Sequence, residues 1–251
     1  MASQKPVIFV VPGAFHRPIH YRKIIGLLRV EGYEVISIDL VVCGDEVDPE
    51  TSFFDDGAAV RKLLIPFLDK GRKAVIVSHS YGSMPTSVIV EGLTLAERAE
   101  QGLQGGIVGV ISLAGFAFPV PGKNIMGNED EIPNPPYQVI KDGVAHLQES
   151  AKPLFFSGLD PKEADAEWDA LFKKLSAKAL KTYPRYVESE FRCSKTYVLC
   201  EKDQAVPPAW QEQMARLGGF DIVRVDSGHC PQLSKPRDVL AVIERVAATA
   251  R

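Results

Sequence analysis

Ser78-His79-Ser80-Tyr81-Gly82 follows the apolar run Ala74-Val75-Ile76-Val77 and precedes a stretch that reads as helical. A strand, a small-x-Ser-x-Gly turn and a helix make a nucleophile elbow. The turn is tight enough to strain the backbone of its central serine. It therefore asks for small residues two positions to either side, here Ser78 and Gly82. The Ser80 hydroxyl is lifted clear of the sheet edge, and the backbone N–H of Tyr81 points where a reacting carbonyl oxygen would sit. Taken alone, a Ser/Gly-rich turn after a strand is more often just a turn, so the rest of the chain has to decide.

Outward from the elbow, strand-like and helix-like runs alternate. Val7–Val11, Glu34–Asp39, Ala74–Val77, Ile107–Leu113, Thr196–Cys200 and Asp221–Val225 read as strands. Between them, Tyr21, Ile24, Ile25 and Leu28 recur at helical spacing, as do Val60, Leu63, Leu64 and Phe67. Met84, Val88 and Ile89 suit a helix after Ser80, with Pro85 confined to its first turn. Val239, Leu240, Val242, Ile243 and Val246 close the chain with an amphipathic helix. Continuous apolar strands alternating with helices predict an α/β fold, a parallel sheet covered on both faces.

The alternation breaks between about Phe116 and Arg192. Pro119, Pro121, Pro133, Pro135 and Pro136 punctuate the start. Val139, Ile140, Val144 and Leu147 predict one helix. A second is predicted from Asp160, with Pro161 at its first position, Glu163 three residues after the cap, and Trp168, Leu171, Phe172, Leu175 and Ala179 on its apolar face. Helices inserted there read as a cap over the sheet's C-terminal edge, where ligands of open α/β sheets bind; a plain extra helical layer is the alternative.

A serine hydroxyl needs a base within hydrogen-bond reach and a third group to orient that base. Of five histidines, His229 lies in Asp226-Ser227-Gly228-His229-Cys230, directly after the last strand and so at the same sheet edge as Ser80. The acid is expected at the end of an earlier strand. Asp203 sits just past the fifth, with Glu201 and Asp226 as rivals. The order Ser, Asp, His matches that of an α/β nucleophile-elbow enzyme. An oxyanion site needs two backbone donors: Tyr81, and a second after the first strand in Pro12-Gly13-Ala14-Phe15-His16, where Gly13 lets the chain turn and Ala14 presents its N–H. His79 reads as a packing or hydrogen-bonding residue, because side chains flanking an elbow nucleophile project away from it. His20 and His146 have no motif around them.

Composition narrows the field further. The chain has 251 residues, 45% of them apolar, enough for one α/β domain with an insertion. A formal net charge of −3 and the lack of a basic tract argue against nucleic-acid binding. The apolar run Val7–Val11 is too short for a signal-peptide core or a membrane span. Cys43, Cys193, Cys200 and Cys230 form no C-x-x-C pair, which predicts reduced thiols and a cytoplasmic location. No His/Asp/Glu cluster has metal-ligand spacing, so no metal and no cofactor are expected. The expected partner is a small-molecule substrate, with no nucleic acid and no membrane; a homodimer is left open.

From Val7 to Ala247 the chain resembles the α/β-hydrolase superfamily. Within it the likeness is to the small capped branch holding plant methylesterases, hydroxynitrile lyases and related microbial esterases. Four stretches in order carry it: Pro12-Gly13-Ala14-Phe15-His16, similar to that branch's His-Gly-Ala-Trp-His; the elbow; Lys202-Asp203-Gln204-Ala205-Val206-Pro207; and Gly228-His229-Cys230-Pro231-Gln232-Leu233-Ser234-Lys235-Pro236. Pro12 replaces the usual histidine and Ser78 the first elbow glycine. The resemblance implies an α/β-hydrolase fold with a mostly parallel sheet of about six strands flanked by helices. Residues 1–115 and 193–251 would form the core, and 116–192 a helical cap between the fourth and fifth strands. It implies Ser80 as nucleophile, Asp203 as acid, His229 as base, and Ala14 and Tyr81 as oxyanion donors.

The expected activity is serine esterase chemistry on a small to medium hydrophobic carboxylic ester, lactone or thioester. Substrate contacts are expected from Phe15, His16, Phe116, Phe118, Trp168 and Phe172. One alternative is a lyase, isomerase or cyclase of secondary metabolism that uses the same groups for proton transfer. Cys230 stands where the hydroxynitrile lyases carry a lysine, and Gly13 where they carry a threonine; both favour the esterase. A non-catalytic small-molecule receptor on the same fold is the other alternative, against which a complete triad argues.

Overall fold

Val7–Val11 is apolar at every position because both of its faces are covered. In the computed structural model it forms β1, with Ile8 and Val10 packed into the hydrophobic layer on one side of the sheet and Val7, Phe9 and Val11 into the layer on the other. That is the period-two alternation of a doubly buried strand. The structure describes residues 4–129 and 134–249; Met1–Ser3 and Pro133 lie outside them.

The remaining strands are β2 (Val35–Ser37), β3 (Cys43–Gly44), β4 (Lys73–His79), β5 (Gly106–Leu113), β6 (Gln138–Lys141), β7 (Val144–Leu147), β8 (Lys174–Ser176), β9 (Ser194–Cys200) and β10 (Asp221–Val225). Six of them make one parallel sheet in the order β10-β9-β5-β4-β1-β2. Its register levels the strand ends: Val11 pairs with Ser78, Ser78 with Ser112, Leu113 with Val198, and Cys200 with Val225. The residues that follow these strands, Pro12, Ser80, Ala114, Glu201 and Asp226, therefore emerge along one edge.

The α-helices are α1 (Arg22–Val30), α2 (Phe53–Asp69), α3 (Ser83–Val90), α4 (Leu95–Glu100), α5 (Lys152–Phe155), α6 (Pro161–Ala170), α7 (Ala177–Lys181), α8 (Pro208–Leu217), α9 (Pro231–Ser234) and α10 (Pro236–Thr249). On one face Ile24 and Leu28 of α1 and Val239, Ile243 and Val246 of α10 join the core with Ile8, Val10, Val75 and Val77. The other face is covered by α2, α3, α8 and the segment between β5 and β9. Pro85 falls at the third residue of α3, inside the first turn, where no intrahelical N–H is lost. Among the described residues no helix is long and apolar enough to cross a membrane.

The segment between β5 and β9 departs from the helices expected there. Val139, Ile140, Val144 and Leu147 lie on the antiparallel hairpin β6–β7, not on a helix. Lys141 pairs with Val144 across Asp142 and Gly143, both at positive φ (51° and 75°). An Asp-Gly pair is the preferred loop of a two-residue hairpin, because both central residues must be left-handed. The second helix, capped by the Asp160 side chain accepting from Lys162 N–H, stops at Ala170. Leu171 is extended, Leu175 belongs to β8 and Ala179 to α7. β8 pairs antiparallel with β7 and with β3, giving a second sheet in the order β3-β8-β7-β6 that ties the segment to the loop after β2.

Candidate active site

The elbow has the strain its sequence predicts. Ser80 sits at φ 49°, in the left-handed region disfavoured for a residue with a Cβ. Gly82 is required by contact: a Cβ there would lie 2.5 Å from both Val11 O and Pro12 O. Ser78 is fully buried, and its hydroxyl donates to Ile111 O across the sheet (3.4 Å).

The turn after β1 is built differently from the sequence expectation. Its left-handed residue is Phe15 (φ 65°), not Gly13. Gly13 is needed because the turn lies against the elbow: a Cβ there would stand 2.9 Å from His79 Nδ1 and 3.3 Å from Ser80 Cβ. Gly13 O accepts from His16 N–H (3.0 Å), and Ala14 O accepts from His16 Nδ1–H (2.8 Å). Because N–H and C=O of a trans peptide point oppositely, the first of these bonds turns Ala14 N–H away from His16. Phe15 O accepts from Phe172 N–H (2.9 Å), which fastens the turn to the segment between β5 and β9.

Asp203 is the carboxylate in contact with His229. His229 Nδ1–H donates to Asp203 Oδ2 at 2.8 Å, both side chains being almost completely buried. Oδ2 also accepts from Gln211 Nε2 (2.8 Å), and Oδ1 accepts the backbone N–H groups of Ala205 (2.8 Å) and Val206 (2.9 Å). Four donors satisfy this buried carboxylate, which would otherwise carry a large desolvation cost. Its rivals lie elsewhere: Glu201 is exposed, and Asp226 pairs with Lys202 at the surface (2.6 Å). Ser80 and His229 line one cavity of about 600 Å³ together with Ala14 and Tyr81. Among the described residues no hydrogen bond joins Ser80 Oγ to His229.

Four of the five histidines crowd at this cavity, His16 and His229 lining it and His20 and His79 packed behind them. His16 stacks edge-on against His20 and His79 (centroids 5.0 and 5.2 Å), and His79 lies 4.9 Å from His229. Burial, reinforced for His16 and His79 by neighbouring imidazoles, pushes His16, His20 and His79 below the ordinary 6.5 and holds them neutral. Each uses both ring nitrogens. His16 Nδ1–H donates to Ala14 O, leaving Nε2 toward Cys230 Sγ (3.5 Å). His20 Nδ1 accepts from Arg17 N–H (2.9 Å), and Nε2–H donates to Glu167 O (3.0 Å). His79 lies between Tyr21 OH (2.8 Å) and His229 O (2.9 Å). Among the described residues no group of three His, Cys, Asp or Glu side chains is placed to hold a metal ion.

Of the residues expected to contact a substrate, Phe15, His16 and Phe116 line the cavity. Phe118, Trp168 and Phe172 do not border it. Phe118 is buried in the core, with its N–H donating to Glu188 Oε2 (2.8 Å). Trp168 is buried with Lys173 over its ring (3.8 Å), and Phe172 packs under Arg17 (4.7 Å). These aromatics anchor the inserted segment instead. The walls come from Tyr137 and Ile140 near the hairpin, Leu154 and Phe155 of α5, and Val206 and Trp210 around the start of α8. Phe155 lies against the His229 ring (5.7 Å) and edge-on to Tyr137 (5.4 Å). The sequence signal for the first wall was the Asp142-Gly143 hairpin; for the last it was proximity to Asp203.

A model described as the Alpha/beta hydrolase family matches residues 7–242. The alpha/beta hydrolase nvfD of Aspergillus novofumigatus is 32% identical over 252 residues, covering 98% of each chain. Methyl jasmonate esterase 1 of Vitis vinifera is 24% identical over 280 residues, again covering 98% of each. The crystal structure of polyneuridine aldehyde esterase superposes with a TM-score of 0.77 over 97% of this chain and 100% of that one; at 17% identity it speaks for the fold alone.

Proposed function

The chain belongs to the alpha/beta hydrolase family, and on that premise we propose that it is a serine hydrolase cleaving a small to medium hydrophobic carboxylic ester, lactone or thioester through an acyl-enzyme on Ser80. The observation that carries this reading is the buried His229–Asp203 pair (2.8 Å) opening onto the cavity that Ser80 also lines. With Nδ1–H committed to Asp203, the His229 lone pair sits on Nε2, the nitrogen a base would use. Catalytic hydrogen bonds of unliganded enzymes commonly tighten only in the reacting complex; the Ser80–His229 bond is read as one of these.

Ser80 Oγ attacks the substrate carbonyl while His229 Nε2 takes its proton. The negative charge that develops on oxygen is met by the N–H groups of Ala14 and Tyr81, fixed in advance by the two turns. His229 returns the proton to the leaving oxygen or sulfur, and the carbon–heteroatom bond breaks to give the acyl-enzyme. Water then attacks with His229 again as base, releasing the acid and Ser80. Residues 116–192 serve as the cap, and its apolar walls favour a hydrophobic acyl or alcohol group. The name of methyl jasmonate esterase 1 supports an ester substrate. Cys230, next to the base, is buried, and burial pushes its thiol well above the ordinary 9.0; it is no cation for a departing anion, which disfavours the lyase. Four free cysteines fit a reducing compartment.

A fluorophosphonate followed by intact-protein mass spectrometry tests the reading, alongside turnover of a short p-nitrophenyl ester. One adduct on Ser80, lost in Ser80→Ala and strongly slowed in His229→Ala, is expected. Ester turnover that survives Ser80→Ala would refute it.

A further inference from the structure

Tyr21, His79 and Gly13 belong to three different stretches, yet they share an unbroken buried chain of hydrogen bonds. Gly13 N–H donates to Tyr21 OH at 2.8 Å. Tyr21 OH lies 2.8 Å from His79 Nδ1, and His79 Nε2 lies 2.9 Å from His229 O. Tyr21 and His79 are both fully buried. Donor accounting leaves one solution. A carbonyl oxygen only accepts, so His79 Nε2 carries the proton. In the neutral ring Nδ1 is then an acceptor, so Tyr21 O–H donates to it. The Tyr21 oxygen, its proton committed, accepts from Gly13 N–H.

We propose that Tyr21 and His79 are positioning residues that lock the Gly13–Ala14 turn, and with it the oxyanion donor Ala14, to the loop carrying His229. This rests on the serine-hydrolase reading above. The peptides on both sides of Gly13 are held: the preceding one through Gly13 N–H on Tyr21, the following one through Gly13 O on His16 N–H. The turn also rests directly on the His79 ring, as the 2.9 Å clearance of a Gly13 Cβ shows. At the far end, His79 holds the backbone carbonyl of the base itself. The bridge thus fixes how far the oxyanion donor stands from the base, a separation the reaction needs to a fraction of an ångström. His79 cannot compete as a base, because both its nitrogens are engaged, and burial keeps it neutral.

Tyr21→Phe keeps the ring and removes the hydroxyl, leaving Gly13 N–H and His79 Nδ1 unpartnered. The p-nitrophenyl ester assay should show kcat lowered on the order of ten- to a hundredfold, the scale of a misplaced oxyanion donor, with KM changed less than about twofold because the cavity walls are untouched. His79→Asn places an amide oxygen near the Nδ1 position and should retain more kcat than His79→Leu. Nitrogen-15 NMR of the wild-type imidazoles gives a readout independent of activity: His79 should be neutral with its proton on Nε2.

Wild-type turnover together with a Tyr21→Phe kcat within about twofold of it would overturn the proposal, as would His79→Leu matching His79→Asn. If Tyr21→Phe shows no cooperative melt, the His79 pair and the tautomer decide. If the wild type neither turns over esters nor labels at Ser80, the hydrolase reading fails on its own. The tautomer then judges the bridge, and a proton on Nδ1 sinks it.

Discussion

Asp56 of α2 is a buried carboxyl that holds the elbow from below, and Asp56→Asn should change how stability depends on pH. Its Oδ2 accepts from Tyr81 OH (2.9 Å), and its Oδ1 accepts from Val41 N–H (2.6 Å) and Val42 N–H (3.3 Å). Burial pushes its pKa from the ordinary 3.8 up to about 7, against the pull of those three donors. The folded protein therefore keeps a proton that the unfolded chain gives up near pH 4. Between about pH 4 and pH 7 the folded state binds more protons, so this group's contribution to stability falls as pH rises and levels off above about 7. Each pH unit in that window is worth about 1.4 kcal/mol, which gives about 3 kcal/mol between pH 5 and pH 8 as an upper bound. Asparagine keeps an oxygen for Val41 and Val42, turns its amide N–H toward Tyr81 OH, and does not titrate. Urea unfolding of both proteins at pH 5, 6, 7 and 8 measures the difference directly. Glu188, also pushed up to about 7 by burial, titrates in both proteins and cancels. Relative to wild type, Asp56→Asn should gain about 3 kcal/mol or somewhat less across the range. A stability difference that stays constant with pH would refute the assignment of a buried, proton-holding carboxyl.

Three further outcomes follow from the site. Ser80→Gly relieves the left-handed strain at φ 49° and should raise stability by about 1 kcal/mol in thermal or urea unfolding while abolishing turnover; a destabilised variant would deny that the elbow is strained. Gln211→Leu removes the donor to Asp203 Oδ2 and orphans Cys200 N–H and Val206 O. It should cost about 2–4 kcal/mol in urea unfolding and lower kcat more than it changes KM. Phe155→Ala opens the wall against His229; it should destabilise by about 3–5 kcal/mol and shift preference toward longer acyl chains in a p-nitrophenyl ester series.

The sheet was legible because its signal is redundant. The central strands of the core are short apolar runs, and the parallel register then puts Ser80, Asp203 and His229 at one edge without further information. The inserted segment was not, because its apolar positions fit two periods at once. Val139, Ile140, Val144 and Leu147 suit a helix face, and the decisive residues lie between them: Asp142 and Gly143 take the positive φ angles that close a hairpin and break a helix. Trp168, Leu171, Leu175 and Ala179 share a helical spacing only on paper, since Leu171 is already extended. Phe118, Trp168 and Phe172 were expected at the cavity because large aromatics suit pockets, but the same area makes them core anchors. The reason for Gly13 was hidden for another cause: its constraint is the His79 ring, 66 positions along the chain, and no local pattern records it.

On the proposed serine-hydrolase reading, the crowd of imidazoles explains why one of them alone is suited to be the base. A histidine near a nucleophile is a competitor whenever it has a free lone pair facing the substrate. Here His16, His20 and His79 spend both nitrogens within the protein and are held neutral by burial. A neutral, fully bonded imidazole still has a polarizable ring and fixed directions, which makes it a rigid spacer in a site that a lysine or a carboxylate would charge. Three such spacers at the cavity hold the turn after β1, the elbow and the His229 loop at set distances without adding a charge next to the proposed oxyanion site. His229 differs in one respect: its partner is a carboxylate. Asp203 would stabilise the imidazolium formed in the proposed step, in which Ser80 gives up its proton, whereas the carbonyl, amide, hydroxyl and thiol partners of the other three offer no such compensation. On the proposed reading, proton acceptance is directed to the one ring whose second nitrogen is backed by a negative charge.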